Sequence, residues 1–558
     1  MDHHADEARG KDMSVTDTDR ASMAYSDDTD TLDQPDSLEL FRIETHRLQQ
    51  KTTVGSTRGP LPQEKWMAMG AGKEYPPLIP DPDGFVVEFD GANDPLHPYN
   101  WTLQRRMFLV CILSYSTFAN SFTSAVFSAA ITDITQEFDI GKEIGSLGVT
   151  LFVLGFAAGP VVWAPMSEII GRRWPLCIGI FGSGIFTIAC ATAKDTQTIM
   201  LTRFFAGLFA ASPISLVPAV FADLFSAAQR GVVMSVFCMA VFIGPFAAPF
   251  VGGFIAMSLG WRWIMYISAM MIFLGFVLVF CCMDETYAPV ILVHKAAVLR
   301  RQTHNWGIHA KQDEIEVEFI ELVRNNLMRP LRMLVTEPIL LLVSLYISFV
   351  YGLIYALLGA YPVVFQGVYG MNMGVGGLAF IGLIIGELVG GVYVLLLQGS
   401  YKRKIAANHG QPIPEWRLTP AIVGSVAFAI GLFWFGWCGY KADIHWMAPI
   451  SSGVLTGFGI FCIFLQCFNY IVDCYPTLAA STIAANTILR SAVGCAFPLF
   501  SRQMMENLGV QWAGTLLGCL AAAMIPIPVA FKYYGPWLRQ KSKLASASVP
   551  STEKKGEV

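Results

Sequence analysis

Twelve stretches of about twenty predominantly apolar residues recur along the chain, each long enough to cross a hydrocarbon layer of ~30 Å as a helix. They fall near residues 107–130, 145–166, 176–193, 198–222, 232–256 and 264–283, then near 338–361, 375–398, 418–439, 447–471, 480–503 and 512–533. Hydrocarbon cannot satisfy an open backbone, so runs of this length and separation are expected to fold as helices. Of the 558 residues, 54% are hydrophobic and 14% charged, against roughly 45–50% and 25% in soluble domains. The fold class this implies is an all-α integral membrane protein.

Several functions are disfavoured by the same sequence. A net charge of −4 gives no global basic field for nucleic acid. The twelve cysteines are scattered, several of them inside apolar runs, and they form no Cys-x-x-Cys pair; they read as small apolar residues. The nine histidines form no His-Glu-x-x-His pattern, and no metal site or bound cofactor is expected. Gly72-Lys73 is followed by Glu74 and lacks phosphate-loop spacing, which argues against a pump driven by ATP. Without a nucleophile or metal constellation, an enzyme is not expected.

Residues 1–100 are rich in Asp, Ser, Thr, Pro and Gly and poor in aliphatics, the composition of a mostly disordered tail. No apolar stretch follows Met1, so no cleavable signal is expected and the run near Met107 serves as its own insertion signal. Residues 101–283 then read as a six-helix bundle, 284–335 as a polar connector, 336–535 as a second six-helix bundle and 536–558 as a short tail. Six spans, a connector and six spans suggest an internal repeat. When twelve spans are threaded, Arg105, Arg106, Arg172, Arg173, Arg230, the connector cations, Lys402, Arg403, Lys404, Lys532 and Arg539 share one side. The other side holds only Lys142, Lys194, Arg262, Lys441 and Arg502. This bias puts both termini in the cytosol, and an odd number of spans would scramble it. The sequon at Asn100 would then lie on the cytosolic side and is discounted.

Three segments carry charge or backbone irregularity. Between spans two and three lies Pro165-Met166-Ser167-Glu168-Ile169-Ile170-Gly171-Arg172-Arg173. Gly171 permits a tight turn; Asp223, at the end of span four, suits Arg172 or Arg173 as a partner. Glu168 could face the positive N-terminus of a helix, or the group could be a simple anchor with an incidental acid. Arg203 lies within span four, where an arginine costs about 2.5–3.5 kcal/mol at mid-bilayer. It should face protein or water, or snorkel to the interface. Span five holds Gly244, Pro245, Pro249, Gly252 and Gly253. The prolines bend the helix and the glycines admit close neighbours, which suits a hinge or ordinary membrane packing.

Together these segments resemble the loop signature, span-four arginine motif and span-five antiporter motif of the major facilitator superfamily. Asp94-Pro95 through Asn100-Trp101, Asp284-Glu285-Thr286-Tyr287-Ala288-Pro289, Pro414-Glu415-Trp416-Arg417-Leu418, the run Tyr470 to Tyr475, Ala479-Ala480-Ser481 and Leu489-Arg490-Ser491 are similar to its fungal twelve-span drug:proton antiporter branch. The resemblance spans about residues 86–535. It implies the two-bundle fold and proton-coupled export of drugs, toxins or secondary metabolites. It implies that Arg203 helps couple proton movement and that the loop charges gate the inward opening. One departure is Glu168, where the superfamily more often has Asp. A polyamine or nutrient transporter and a non-transporting membrane sensor are the alternatives; the sugar-porter sequence Pro-Glu-Ser-Pro-Arg is missing after span six. The expected partners are a small-molecule substrate, protons and lipid, and the chain is expected to act as a monomer. The plasma membrane is the expected location, with the vacuolar membrane as the alternative.

An antiporter needs a titratable group in its cavity. Glu387 lies mid-way along span eight, where burial disfavours the charged form of a carboxyl group. It is a candidate proton carrier or counter-charge for a cationic substrate, or else a structural hydrogen-bonded glutamate. Arg490 in span eleven could pair with Glu387 or Asp473. Tyr346, Tyr351, Tyr355, Asn120, Gln466, Asn469 and Asn486, with Arg490, are the candidate cavity residues on spans one, seven, ten and eleven; each alone could instead be an interhelical hydrogen bond.

Overall fold

The computed structural model describes residues 85–91, 93–303, 307–313, 319–408, 413–475 and 478–542. Most of the expected N-terminal tail and the end of the C-terminal tail lie outside the described residues. Among those described, twelve helices are long and apolar enough to cross a membrane. Spans 1 to 6 are Leu103–Glu137, Lys142–Ile169, Arg173–Ala191, Thr196–Leu224, Gln229–Leu259 and Trp261–Cys282. Spans 7 to 12 are Pro338–Val368, Met373–Ala407, Pro414–Cys438, Met447–Cys474, Ser481–Leu508 and Val510–Gln540. Each expected run overlaps one of them.

Two compact units are distinguished. The smaller takes Met1–Val87 and Ala296–Glu314, the larger Glu88–Lys295 and Ile315–Val558. Within the smaller, Val86 bridges His309 in parallel, Val87 donates its N–H to the His309 carbonyl at 2.8 Å, and Arg300 pairs with Asp313 at 3.5 Å. The larger holds all twelve spans.

The halves of the larger unit repeat their packing. A Cβ on Gly207 of span 4 would fall 2.1 Å from the Phe152 carbonyl of span 2, and one on Gly457 of span 10 would fall 2.1 Å from the Leu383 carbonyl of span 8. In both halves the second and fourth helices therefore meet backbone to backbone, which only small residues allow. Apolar side chains such as Leu201, Met270 and Leu396 point outward and remain exposed, as a lipid solvent requires. Span 4 starts where the Asp195 carboxylate accepts the Thr198 N–H at 2.8 Å.

Five features depart from the hydropathy pattern. Residues 85–91 and 93–100 were expected in a disordered tail, yet they adopt a defined lead-in. There the Asp94 carboxylate accepts the N–H groups of Asp90 and Leu96 at 2.9 and 2.8 Å, and Lys295 lies 3.7 Å away. Those backbone donors hold its carboxyl below the usual range; composition averaged over a long tail cannot register one capping residue. The connector contains helices Ala288–Thr303 and Phe319–Thr336. Span 11 is broken between Gly494 and Phe497, and span 7 widens into a π-turn at Val363–Val368. The last helix, Pro526–Lys541, runs past residue 536 into the expected tail, because Arg539 is held by Glu415.

Candidate functional site

A cavity of 580 Å³ opens between the two halves, inside the ~300–1,000 Å³ range of small-molecule sites. Its walls are the ends of spans 1, 7 and 11 and the beginnings of spans 2 and 8, including Thr132, Lys142, Ser146, Gln366, Ser501 and Arg502. Span 2 runs from Lys142 to Ile169, so the mouth lies at the end opposite the Arg172 loop. At the loop end, Pro160, Ala164 and Glu168 of span 2 approach Ser481, Ala484 and Ile488 of span 11, leaving a pocket of only 20 Å³. The transmembrane path is thus open at one end and closed at the other.

Tyr355 is the cavity's aromatic hydroxyl. Its OH lies 3.1 Å from the Ser124 hydroxyl of span 1 and 3.3 Å from Tyr351 OH, one turn away on span 7. Behind Ser124 stands Arg203, 1% exposed. Its Nε donates to the Gly148 carbonyl, and its Nη1 and Nη2 to those of Thr123 and Ser124, each at 3.0 Å. The guanidinium is also flanked by Phe127 and Phe152, at 4.7 and 4.2 Å from the ring centroids. Arg203 therefore ties spans 1, 2 and 4 together and does not snorkel. Behind Tyr351, on the other half, lies the Arg490 guanidinium. Glu387 on span 8 is 1% exposed, and among the described residues neither carboxylate oxygen has a hydrogen-bond partner.

Charges cluster at the closed end. The Arg172 Nε donates to Asp223 at 3.0 Å and its Nη1 to the Ser167 hydroxyl at 2.7 Å. The Glu285 carboxylate accepts the N–H groups of Arg172, Arg173, Thr286 and Tyr287, at 2.8, 3.2, 2.9 and 2.9 Å. It thereby binds the positive N-terminus of span 3. Gly171 has φ +95°, and a Cβ there would fall 2.2 Å from the Glu285 carboxylate. Arg173 donates to the Phe280 carbonyl at 2.9 Å. In the second half, Arg417 binds Asp473, Arg539 binds Glu415 at 2.9 Å, and Glu337 accepts from the hydroxyls of Tyr475 and Ser542.

A family model described as Major Facilitator Superfamily matches residues 113–498. The chain belongs to the Major Facilitator Superfamily. It is 44% identical to Multidrug transporter TPO1_2 of Candida glabrata, over 93% of this chain and 86% of that protein. It is also 44% identical to the multidrug transporter FLU1 of Candida albicans, over 88% of this chain and 80% of that one. Among solved structures, the xylose transporter XylE from E. coli matches with a TM-score of 0.52 at 17% identity, covering 76% of this chain and 97% of that one. That likeness is one of fold. The protein is accordingly a multi-pass membrane protein with the major facilitator architecture.

Within this facilitator fold the residues singled out from sequence separate. Tyr355 lines the cavity, and Tyr351 sits one layer beneath it. Asn120 does not line it: its Oδ1 accepts from Ser183 of span 3 at 2.9 Å and its Nδ2 donates to the Ser116 carbonyl at 2.9 Å, the interhelical alternative. Gln466 lines a separate pocket of 100 Å³ with Tyr401 and Arg417. Tyr346 is buried beside Ser425 and Cys467, and Asn469 is buried on span 10. Asn486 is fully buried on span 11, with neither amide atom partnered. Arg490 meets neither Glu387 nor Asp473, because Asp473 is bound to Arg417 and no carboxylate reaches Arg490 among the described residues. Of the two arginines offered to Asp223, Arg172 takes it. In span 5, Gly244 and Gly252 abut span 1, and Gly253 abuts Met373 of span 8, while Pro245 and Pro249 stay inside one continuous helix. Glu168 shares its pocket with Ser481, at the first turns of span 11. In the sequence Glu285 stands out only as part of the segment Asp284-Glu285-Thr286-Tyr287-Ala288-Pro289. The signal for its role is an acid just beyond span 6, on the side where span 3 begins.

Proposed function

We propose that this facilitator exports amphipathic, drug-sized molecules in exchange for protons, by alternating access between its two halves. The observation that carries the reading is the inter-half cavity with one open mouth and one closed end. Two relatives with 44% identity over most of both chains are named multidrug transporters, which supports export of drug-like cargo. Positive-inside bias supports placing the closed, Arg172-bearing end and both termini in the cytosol; the proposed site of action is the plasma membrane, from which export would clear the cell.

Glu387 is the proposed proton carrier. A buried carboxyl group without a hydrogen bond or counter-charge is stable in its neutral form, and a change of surroundings that admits water releases the proton. Arg203, held by three carbonyls, is the fixed cation that holds span 4 to spans 1 and 2 while this occurs. The test is transport of a drug panel by the full chain in proteoliposomes under an imposed pH gradient. Wild-type protein accumulates at least one compound, and collapsing the gradient stops it. Glu387→Gln abolishes gradient-driven accumulation while exchange of unlabelled for labelled drug continues. Full coupled transport by Glu387→Gln removes Glu387 from the proton role, and binding without any transport makes the chain a sensor.

A further inference from the structure

We propose that Arg490 and Asn486 form a buried anion site, and that the exported molecules include organic anions bearing a carboxylate. This deepens the transport reading and rests on it. Arg490 is 3% exposed, and its guanidinium lies between the rings of Tyr351 and Phe464, 5.0 Å from each centroid. Its Nε has no acceptor, and no carboxylate or carbonyl takes any of its donors among the described residues. Asn486 lies one turn earlier on the same face of span 11, fully buried, with both amide atoms unpartnered.

Arg203 supplies the internal control. It too is sandwiched between two aromatic rings, but the fold gives it three carbonyl acceptors. Arg106, Arg173 and Arg230 also leave Nε unpartnered, but Arg106 and Arg173 each give another nitrogen to a carbonyl, those of Leu224 and Phe280. Arg490 is left with free donors and an equally unsatisfied amide next to it. The two acids that sequence offered as partners are elsewhere: Asp473 is on Arg417, and Glu387 has no partner among the described residues. The missing acceptor is therefore supplied from outside the chain.

The location fits cargo. Tyr355 lines the cavity, its hydroxyl touches Tyr351, and the Tyr351 ring covers Arg490. The break after Gly494 separates Arg490 from Pro498, which lines the same cavity. The arginine is thus separated from the cavity by the Tyr351–Tyr355 pair. A guanidinium fork matches a carboxylate with two parallel hydrogen bonds, and the flanking rings suit a flat aromatic body. A cation placed there would meet an uncompensated positive charge.

Fluorescein and rhodamine 6G test this, since they share a xanthene frame but differ in charge. Fluorescein has a free carboxylate; in rhodamine 6G that group is esterified and the dye is cationic. Purified full-length wild type binds fluorescein more tightly than rhodamine 6G. Arg490→Gln lowers the ratio of the two affinities by roughly thirtyfold. Arg490→Lys recovers part of it, since it keeps the charge without the fork. Asn486→Ala lowers it less, and serves if Arg490→Gln does not fold. Equal loss for both dyes in these variants, or binding of inorganic phosphate without fluorescein, overturns the assignment. Gradient-driven transport of rhodamine 6G by protein that fails to bind fluorescein sinks the anion site and spares the transporter reading. Fluorescein binding without movement of either dye does the reverse.

Discussion

Arg172 caps span 3 and meets Asp223, next to last in the helix of span 4. Arg417 stands just before the regular helix of span 9 and meets Asp473, next to last in span 10. The side chains of the first pair are 8% and 21% exposed, those of the second 9% and 20%. A tyrosine ring lies 4.5 Å from each arginine, Tyr287 in one half and Tyr401 in the other. Register and burial have been kept across the repeat, whereas the ring comes from beyond span 6 in one half and from span 8 in the other. What closes over each pair differs. After span 6 the acid Glu285 binds backbone N–H groups; at the end of span 12 the base Arg539 binds the acid Glu415. The second cluster also reaches the first half, since a Cβ on Gly231 of span 5 would lie 3.4 Å from Arg417. The repeat thus fixes where charge sits, and the local chain fixes how it is sealed.

The strongest way to break this comparison is to remove one acid at a time. Asp223→Ala and Asp473→Ala each strand a mostly buried arginine, and each is expected to cost about 3–5 kcal/mol, read as loss of thermal stability in detergent. Equal losses extend the symmetry from geometry to energy. A loss below ~1 kcal/mol in either half would class that pair with ordinary surface bridges and end the equivalence. Arg539→Ala leaves Glu415, whose side chain is 6% exposed, without its two-pronged partner, a loss on the scale of the two acid deletions at about 3–5 kcal/mol. Its readout is faster hydrogen exchange along Pro526–Lys541, and unchanged exchange there would show that Glu415 does not hold the last helix. A smaller effect isolates what is peculiar to the first half. Gly171→Ala forces an alanine into the left-handed region at about 1–2 kcal/mol and pushes on Glu285. Combined with Glu285→Ala, the loss should be less than additive; strict additivity would mean that the carboxylate is not what the methyl meets.

Much of the scaffold was legible beforehand because hydrocarbon thickness imposes one length on every span. All twelve runs became helices, and the loop acids and bases drew attention through their rarity. The break after Gly494 leaves no mark in hydropathy, since the sequence stays apolar through Ala496, Phe497 and Pro498; only Gly494 and Pro498 themselves, at its two sides, signal it. Partners across helices were also hidden. Asn120 faces Ser183, and Arg490 faces rings instead of an acid, because the rotation and tilt of each helix are set by neighbours that hydropathy does not encode. Glu285 could be seen, but its task depends on where span 3 begins in space.

The contact of span 5 with span 8 near the open mouth has a mechanical consequence. A Cβ on Gly253 would fall 2.6 Å from the Met373 carbonyl, and one on Gly377 would fall 2.6 Å from the Phe250 Cα. Main chain rests on main chain at both points, with the Phe254 ring seated on Gly374 beside them. Smooth surfaces in touch can roll on one another for little work, whereas toothed ones must first disengage. A single methyl at either glycine would put a further tooth on that bearing.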